Sequence, residues 1–451
     1  MKNMNYTIPY WVTKSISDKE ELLLFNWKNN KSAIIFEKNH PAYALNNSAE
    51  LHLNSSISSD HASDINWLCE YEFLSKNKET KPFKQDQKKL NANSLHLILL
   101  PAGEACNLDC VYCYEDHSYK KRMNEESAIN LIKFIENKNP SELNIEYFGG
   151  EPMLNTKFIE LLSKLLYERN IKFKGSITTN GTLLNSKTLD ILYAAGVKSF
   201  QITIDGSKNL HNNLRISKSK NLDSYDTVCN ALRTIHKSNY SDIICTVRIN
   251  ANQETIKKQN ISDFLKDFTA IIPATDQRFL ILPKPIGDYL SANLKGNSQA
   301  TDTYCNKNSI NEVVDFLERV FTESGYIIAD PVMLTKTGGY SCYAGNANSF
   351  VINPDLKLFK CTVALDDPVN LVGYIDQKGE TQLNSNISLW TKDYSNSGCT
   401  NCFAQNTCSG NSCPLINIKD NIKHCPPIKQ EIEKITSKVV RFYESMSDAK
   451  I

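Results

Sequence analysis

No apolar run in the sequence approaches the ~20 residues that a membrane span needs. Met1 to Pro9 also lack the apolar core of a secretory signal. Charge of one sign is missing too: 51 Lys and Arg stand against 50 Asp and Glu, a formal net charge of +1. Nothing in that balance attracts nucleic acid or an anionic membrane. What is there is a chain of 451 residues, long enough for two or three domains with sizeable cores, and fourteen cysteines. Such a count suits a disulfide-rich secreted protein only in a much shorter chain. In a chain of this length the cysteines are expected to be metal ligands in a reducing compartment, and the location is expected to be cytoplasmic.

Three of the cysteines, Cys106, Cys110 and Cys113, fall within eight residues, just after the apolar run Leu95 to Leu100. That run reads as a strand, so the thiols sit on a loop at its C-terminal end, where βα-barrels place their chemistry. Three thiolates can hold a tetrahedral metal, or three corners of an iron–sulfur cube that normally takes four ligands. A zinc knuckle is the plainer alternative.

From this point strand-like runs alternate with amphipathic helices, which argues for a parallel βα architecture. The strands are expected at Leu95–Leu100, Leu143–Phe148, Phe173–Thr178, Ser199–Ile204, Ile243–Ile249 and Arg278–Leu282. Helices are expected around Glu125–Ile135, Phe158–Leu166, Leu189–Ala194, Val228–Ile235, Ile261–Phe268 and Val313–Phe321, the first capped by Asn124. The second strand ends in Glu146-Tyr147-Phe148-Gly149-Gly150-Glu151-Pro152. Paired glycines let backbone approach a ligand closely, and the glutamate offers a carboxylate to an ammonium group.

The spacing Cys-x3-Cys-x2-Cys with Tyr112 before the last cysteine, followed by Gly-Gly-Glu-Pro at the next strand end, resembles the radical S-adenosylmethionine (SAM) enzymes. The resemblance implies a partial (β/α)6 TIM-like barrel over residues 94–330. It implies a SAM-cleaving [4Fe–4S] cluster on Cys106, Cys110 and Cys113, whose free iron would chelate SAM. Tyr112, Gly149, Gly150, Glu151, Asn180, Thr203, Asp205 and Arg215 are then expected to surround SAM, with Glu151 on the methionine amino group and Arg215 on the carboxylate. Taken singly, a capping or turn role is open for each polar residue at these strand ends.

After the barrel come Cys342, Cys361, Cys399, Cys402, Cys408, Cys413 and Cys425. A short Cys-x2-Cys step lets two thiolates reach one metal, and zinc ribbons use the same spacing. The region, 331–427, resembles the SPASM extension of peptide-modifying radical SAM enzymes. By that resemblance Cys399, Cys402, Cys408 and Cys425 hold an outer auxiliary cluster. Cys342, Cys361 and Cys413 hold an inner one with an open position, giving three clusters in all. Two departures stand out: Leu356 occupies a place where that family usually has glycine, and four rather than three residues separate Cys408 from Cys413. Cys69, Cys229 and Cys245 read as ordinary buried residues.

The first 90 or so residues hold strand-like segments at Tyr10–Val12, Glu21–Trp27 and Ser32–Phe36, then a helix around Ser63 to Leu74. Ser75 to Asn93 reads as a linker. This small α+β module resembles the winged-helix-like domains with which peptide maturases dock a leader peptide by strand addition. Residues 428–451 form an amphipathic helix, expected to pack on the barrel. The α/β chain is therefore expected to be a maturase of a ribosomally made precursor peptide. It would cleave SAM to a 5′-deoxyadenosyl radical and install a carbon–carbon, ether or thioether crosslink, fed by a donor such as flavodoxin or ferredoxin. The alternatives are a sulfatase-maturing, formylglycine-generating enzyme and a non-catalytic zinc scaffold that binds a peptide.

Overall fold

A computed structural model describes residues 4–53, 58–76, 93–115, 117–219, 222–287, 304–305, 310–334, 341–408, 413–426, 429 and 431–446. Most of the expected linker, 77–92, and positions 428, 430 and 447–451 of the expected terminal helix lie outside these. The chain forms two compact units. One comprises residues 1–88, 330–342 and 392–451; the other comprises 89–329 and 343–391.

The first unit begins with strands β1 (Met4–Thr7), β2 (Val12–Ile16), β3 (Leu22–Asn26), β4 (Lys31–Ile35) and β5 (Glu50–Leu53). They are followed by helix α1 (Ser59–Glu70), capped by the Ser58 side chain. The expected strand segments pair: β3 and β4 form an antiparallel hairpin from Leu22↔Ile35 to Asn26↔Lys31, with β2 on the other side of β3. β1 and β5 make a separate antiparallel pair.

The second unit is built on β6 (Ser94–Leu99), β8 (Glu142–Tyr147), β9 (Lys174–Thr179), β10 (Val197–Thr203), β12 (Ile244–Ala251) and β13 (Phe279–Pro285). Between β6 and β8 lies the short β7 (Leu108–Cys110), and between β10 and β12 the short β11 (Arg215–Ser217). The six long strands match the expected positions within a few residues and lie parallel, side by side in chain order. Between them run α2 (Glu125–Lys138), α3 (Thr156–Glu168), α4 (Ser186–Ala194), α5 (Lys208–Leu214), α6 (Ser224–Lys237) and α7 (Lys258–Ile271), with α8 (Ile310–Glu323) after β13. Asn124 and Asn185 start α2 and α4 with reciprocal capping boxes, each satisfying two otherwise orphaned backbone donors.

The sheet is longer than expected. β14 (Ile327–Ile328) joins β13, and at the opposite edge β15 (Ser349–Ile352) pairs parallel with β6. The antiparallel strands β16 (Lys357–Phe359), β17 (Leu371–Ile375) and β18 (Thr381–Leu383) follow, for eleven strands in all. Leu356, between β15 and β16, has φ +57, so the turn keeps the left-handed backbone that glycine would give. Along β8 and β9 burial alternates: Leu143, Ile145, Tyr147 and Ile177 are buried, while Glu146, Ser176 and Thr178 are half-buried. The second set, with His96 and Gln201, gives the inner face a polar lining; Thr178 donates to Glu146 Oε1 at 3.1 Å.

Five helices complete the chain: α9 (Ala329–Leu334), α10 (Asn386–Trp390), α11 (Gln405–Cys408), α12 (Pro414–Asp420) and α13 (Ile432–Met446). The terminal helix corrects an expectation. Instead of lying on the barrel, α13 packs on β2, β3 and β4 of its own unit. Val439 and Val440 join Leu23, Phe25 and Trp27 in one core, and Arg441 pairs with Glu21. An amphipathic stripe states that a face must be buried, not against what. Among the described residues no helix is long and apolar enough to cross a membrane.

The start of β13 is held by Asp276, which accepts from Arg278 Nη2 at 2.7 Å and meets His236 Nδ1 at 2.8 Å. Burial works against its charge, but these partners outweigh it and bring the carboxyl to about 2. The stabilisation is present above the ordinary value of 3.8 and is lost as pH falls toward about 2. Asp276→Asn is expected to cost about 2 kcal/mol at neutral pH. It should also flatten the acid limb of stability in that window, as read by urea titration over a pH series.

Candidate metal centre

The three clustered cysteines lie on the loop after β6, and a small ladder shapes that loop. β7 pairs antiparallel with β11, setting Cys110 opposite Arg215. Val111 N–H donates to Leu214 O at 2.9 Å. Cys106 Sγ accepts from Leu108 N–H at 3.4 Å and from Asn180 Nδ2 at 3.7 Å. None of the fourteen cysteines is in a disulfide. Burial, with nearby acidic groups, pushes the Cys106 thiol up to about 11 and Cys113 up to about 12; burial also raises Cys110. Thiols so placed become thiolates when a metal's charge is present to hold them.

The expected glycines are required by the cysteine loop itself. Gly149, at φ +106, comes so close to Gly103 O that a Cβ would collide with it. A Cβ on Gly150 would fall 2.5 Å from Ala105 O. Glu151 has no exposed surface, and its N–H donates to Ala105 O at 2.8 Å. Its carboxylate was expected to meet a ligand ammonium. In the structure Oε1 accepts from Met153 N–H at 2.9 Å and Thr179 Oγ1 at 2.8 Å, and Oε2 from Asn180 N–H at 2.8 Å. Burial raises its pKa and these donors pull it back. Glu151 thus joins the ends of β8 and β9 to the cysteine loop.

Beyond β10 a second network forms. Tyr112 Oη donates to Asp205, and accepts from Arg215 Nη1 at 2.9 Å and Asn250 Nδ2 at 3.0 Å. Asp205 Oδ1 accepts Asn250 N–H at 3.0 Å, and His211 Nδ1 accepts Asp205 N–H at 3.1 Å. Burial opposes the Arg215 charge, but Tyr112, Cys110 and Asp205 outweigh it and hold the guanidinium protonated. Its Nε, although buried, has no hydrogen-bond partner among the described residues. Thr203 is buried two residues before Asp205 and enters neither network. Sequence reasoning missed Asn107, which bonds Asn180 Nδ2 at 2.8 Å, and did not single out Thr179 or Asn250. Both had a signal: Thr179 lies in the Thr-Thr-Asn-Gly-Thr ending of the third strand, and Asn250 in the Arg-Ile-Asn ending of the fifth.

These residues fit the implied groups. Three thiols on one loop, with N–H donors already facing Cys106, suit an iron–sulfur cluster. A buried guanidinium N–H without an acceptor suits a carboxylate. Among the described residues no three Cys, His, Asp or Glu side chains stand close enough to share a single ion. In the first unit, Cys402 N–H donates to Cys399 O at 3.3 Å, and Lys423 Nζ contacts Cys399 Sγ. Thiols gathered on one short stretch are the donors that a metal or an iron–sulfur cluster takes. Cys342 and Cys413 belong to the first unit and Cys361 to the second.

Glu151→Gln puts an amide N–H₂ against Asn180 N–H or Met153 N–H. Each buried donor left unpaired costs about 1–3 kcal/mol. The variant is expected to melt earlier than wild type and to retain less iron on anaerobic reconstitution.

Residues 100–266 match the Radical SAM superfamily. A cysteine-type anaerobic sulfatase-maturating enzyme from Clostridium novyi (strain NT) is 27% identical over 377 residues, 77% of this chain and 96% of that protein. The radical SAM cyclopropyl synthase TigE from Paramaledivibacter caminithermalis is 32% identical over 146 residues, 26% of this chain and 31% of TigE. Among solved structures, native anSMEcpe with bound AdoMet aligns with a TM-score of 0.57 at 21% identity, covering 78% of this chain and 98% of that one. The last likeness is one of fold. Taken with the cysteine loop and the strand ends around it, these matches identify the chain as a protein with a radical SAM domain on the α/β fold of that superfamily.

Proposed function

We propose that this chain is a radical SAM maturase of a ribosomally made precursor peptide. In this reading it carries a SPASM-type C-terminal region and makes a side-chain crosslink of the carbon–carbon, ether or thioether kind. The observation that carries the reading is the gathering of the cysteine loop, Glu151, Asn180, Tyr112, Asp205 and Arg215 at the C-terminal ends of neighbouring parallel strands. With a [4Fe–4S] cluster on Cys106, Cys110 and Cys113 and SAM beside it, the chemistry supplied is a 5′-deoxyadenosyl radical that takes hydrogen from the peptide. The chain's own residues bind and orient. Arg215, fixed by Tyr112, offers its unpartnered Nε to the SAM carboxylate, and Asn180 steadies Cys106. The polar inner face, with His96, Glu146, Thr178 and Gln201, would line the space for the substrate side chain.

A peptide substrate with a leader is supported by the first unit. β4 is an edge strand among the described residues, and a cavity of about 310 Å³ lies beside it and α1, lined in part by Ile34, Phe36, His61, Asp64 and Trp67. An open strand edge beside a partly apolar groove is a surface to which an extended peptide adds as a strand. Cys399, Cys402, Cys408 and Cys425 would hold the outer auxiliary cluster and Cys342, Cys361 and Cys413 the inner one. A flavodoxin- or ferredoxin-type donor would supply the electron. A second reading, formylglycine formation, is favoured by the match along 96% of the Clostridium novyi enzyme's length.

The test is anaerobic reconstitution followed by incubation with SAM, a strong reductant and the peptide encoded beside the gene. Wild type is expected to release 5′-deoxyadenosine and yield a peptide lacking a pair of hydrogen atoms. A peptide in which a cysteine CH2–SH has become an aldehyde, its sulfur replaced by oxygen with loss of two hydrogen atoms, supports the formylglycine reading instead. Cys106→Ala should abolish deoxyadenosine, whereas Cys402→Ala should leave some uncoupled cleavage. Bound zinc without iron or sulfide, and no deoxyadenosine, overturns both readings.

A further inference from the structure

The proposed function leaves one side chain of the outer cysteine region without a role. After α12 the chain turns through Asn421, at φ +52, and Asn417, which has no exposed surface, accepts His424 N–H at 2.9 Å. That bond ties the 421–425 loop back onto α12 and directs Lys423 Nζ to Cys399 Sγ. Lys429 Nζ stands 4.0 Å from Cys425 Sγ. The acids nearby are engaged: Asp420 pairs with His424 at 2.7 Å, and Asp393 accepts Ser395 N–H at 2.7 Å. Residues 392–429 hold four lysines against two aspartates.

A cluster held by four thiolates is an anion, and each added electron makes it more negative. A fixed positive charge beside it favours the reduced form, because net charge and hydrogen bonds to sulfur set the potential of such a cluster. We propose that Lys423 is a positioning residue that raises the reduction potential of the cluster on Cys399, Cys402, Cys408 and Cys425. This rests on the reading that those four cysteines hold an iron–sulfur cluster. Lys423 does not touch substrate; it acts through the charge it places on the thiolates. A cluster so tuned suits a one-electron acceptor: as its bond closes the substrate-centred radical gives up one electron, which reduces the cluster, and one proton, which passes to solvent.

The experiment is an EPR-monitored redox titration of the full chain, reconstituted in a background with Cys106, Cys110 and Cys113 replaced by alanine. Loss of a signal in Cys402→Ala assigns that signal to the outer site. Lys423→Met is expected to lower its potential by at least tenfold in the reduction equilibrium, about 59 mV for one electron. Lys423→Arg should stay close to the parent. Lys423→Gln, which remains polar, reads the same loss of charge if the methionine variant loads poorly. An unchanged potential in Met or Gln overturns the proposal, as does an equal fall in Arg. If Cys402→Ala removes neither iron nor signal, the cluster assignment itself fails and the proposal with it, a result distinct from a cluster whose potential ignores Lys423.

Discussion

A carboxylate with no access to water must find its partners inside the protein, and in the second unit Glu151 does so by tying three segments together. Its two oxygens take donors from Met153, Thr179 and Asn180, while its backbone N–H holds Ala105. Asn180, placed by that bond, reaches Cys106 Sγ and Asn107. The two glycines before Glu151 lie flat against the same loop because a Cβ at either would strike its carbonyls. The geometry of the metal loop therefore depends on one buried charge and the contacts around it. This is a costly arrangement when broken and a rigid one when complete.

The Asp205–Arg215 pair does for the far side of the centre what Glu151 does for the near side. Both are buried, 3.8 Å apart, and joined through Tyr112 and Asn250. A buried ion pair of this sort is weak evidence for stability. Its effect here is to hold a guanidinium beside Cys110, on the short ladder that β11 makes with β7. Tyr112, an aromatic within the cysteine spacing, becomes the link between the loop and the fourth strand end.

The two ends of the chain meet in the first unit. The apolar side of β3, with Leu23 and Phe25, and Trp27 just after it are closed by Val439 and Val440 of the terminal helix and by Ala404 and Cys408 of the outer cysteine region. Burying such side chains contributes roughly 1.5–3 kcal/mol each. The edge strand that would take a leader and the cysteines that would take a cluster accordingly belong to one packed body. Cys402, half-buried, packs against the same core.

What the sequence by itself determined was the kind and order of elements in the second unit and the chemistry at its strand ends. Strand periodicity, asparagine caps and the spacing of Cys106, Cys110 and Cys113 are local, so their physical cause lies within a few residues. That Glu151 ties the strand ends together was not legible, because its partners Thr179 and Asn180 arrive from the next strand. The place of the terminal helix was hidden for the same reason, since Val439 states only that it must leave water. At Leu356 local preference pointed the wrong way: the surrounding hydrogen bonds, Leu356 N–H to Asn353 O at 2.9 Å and Ile375 N–H to Leu356 O at 2.9 Å, hold a leucine in the left-handed region. Only the tertiary structure decided these points, because each depends on a partner distant in sequence whose identity no local pattern encodes.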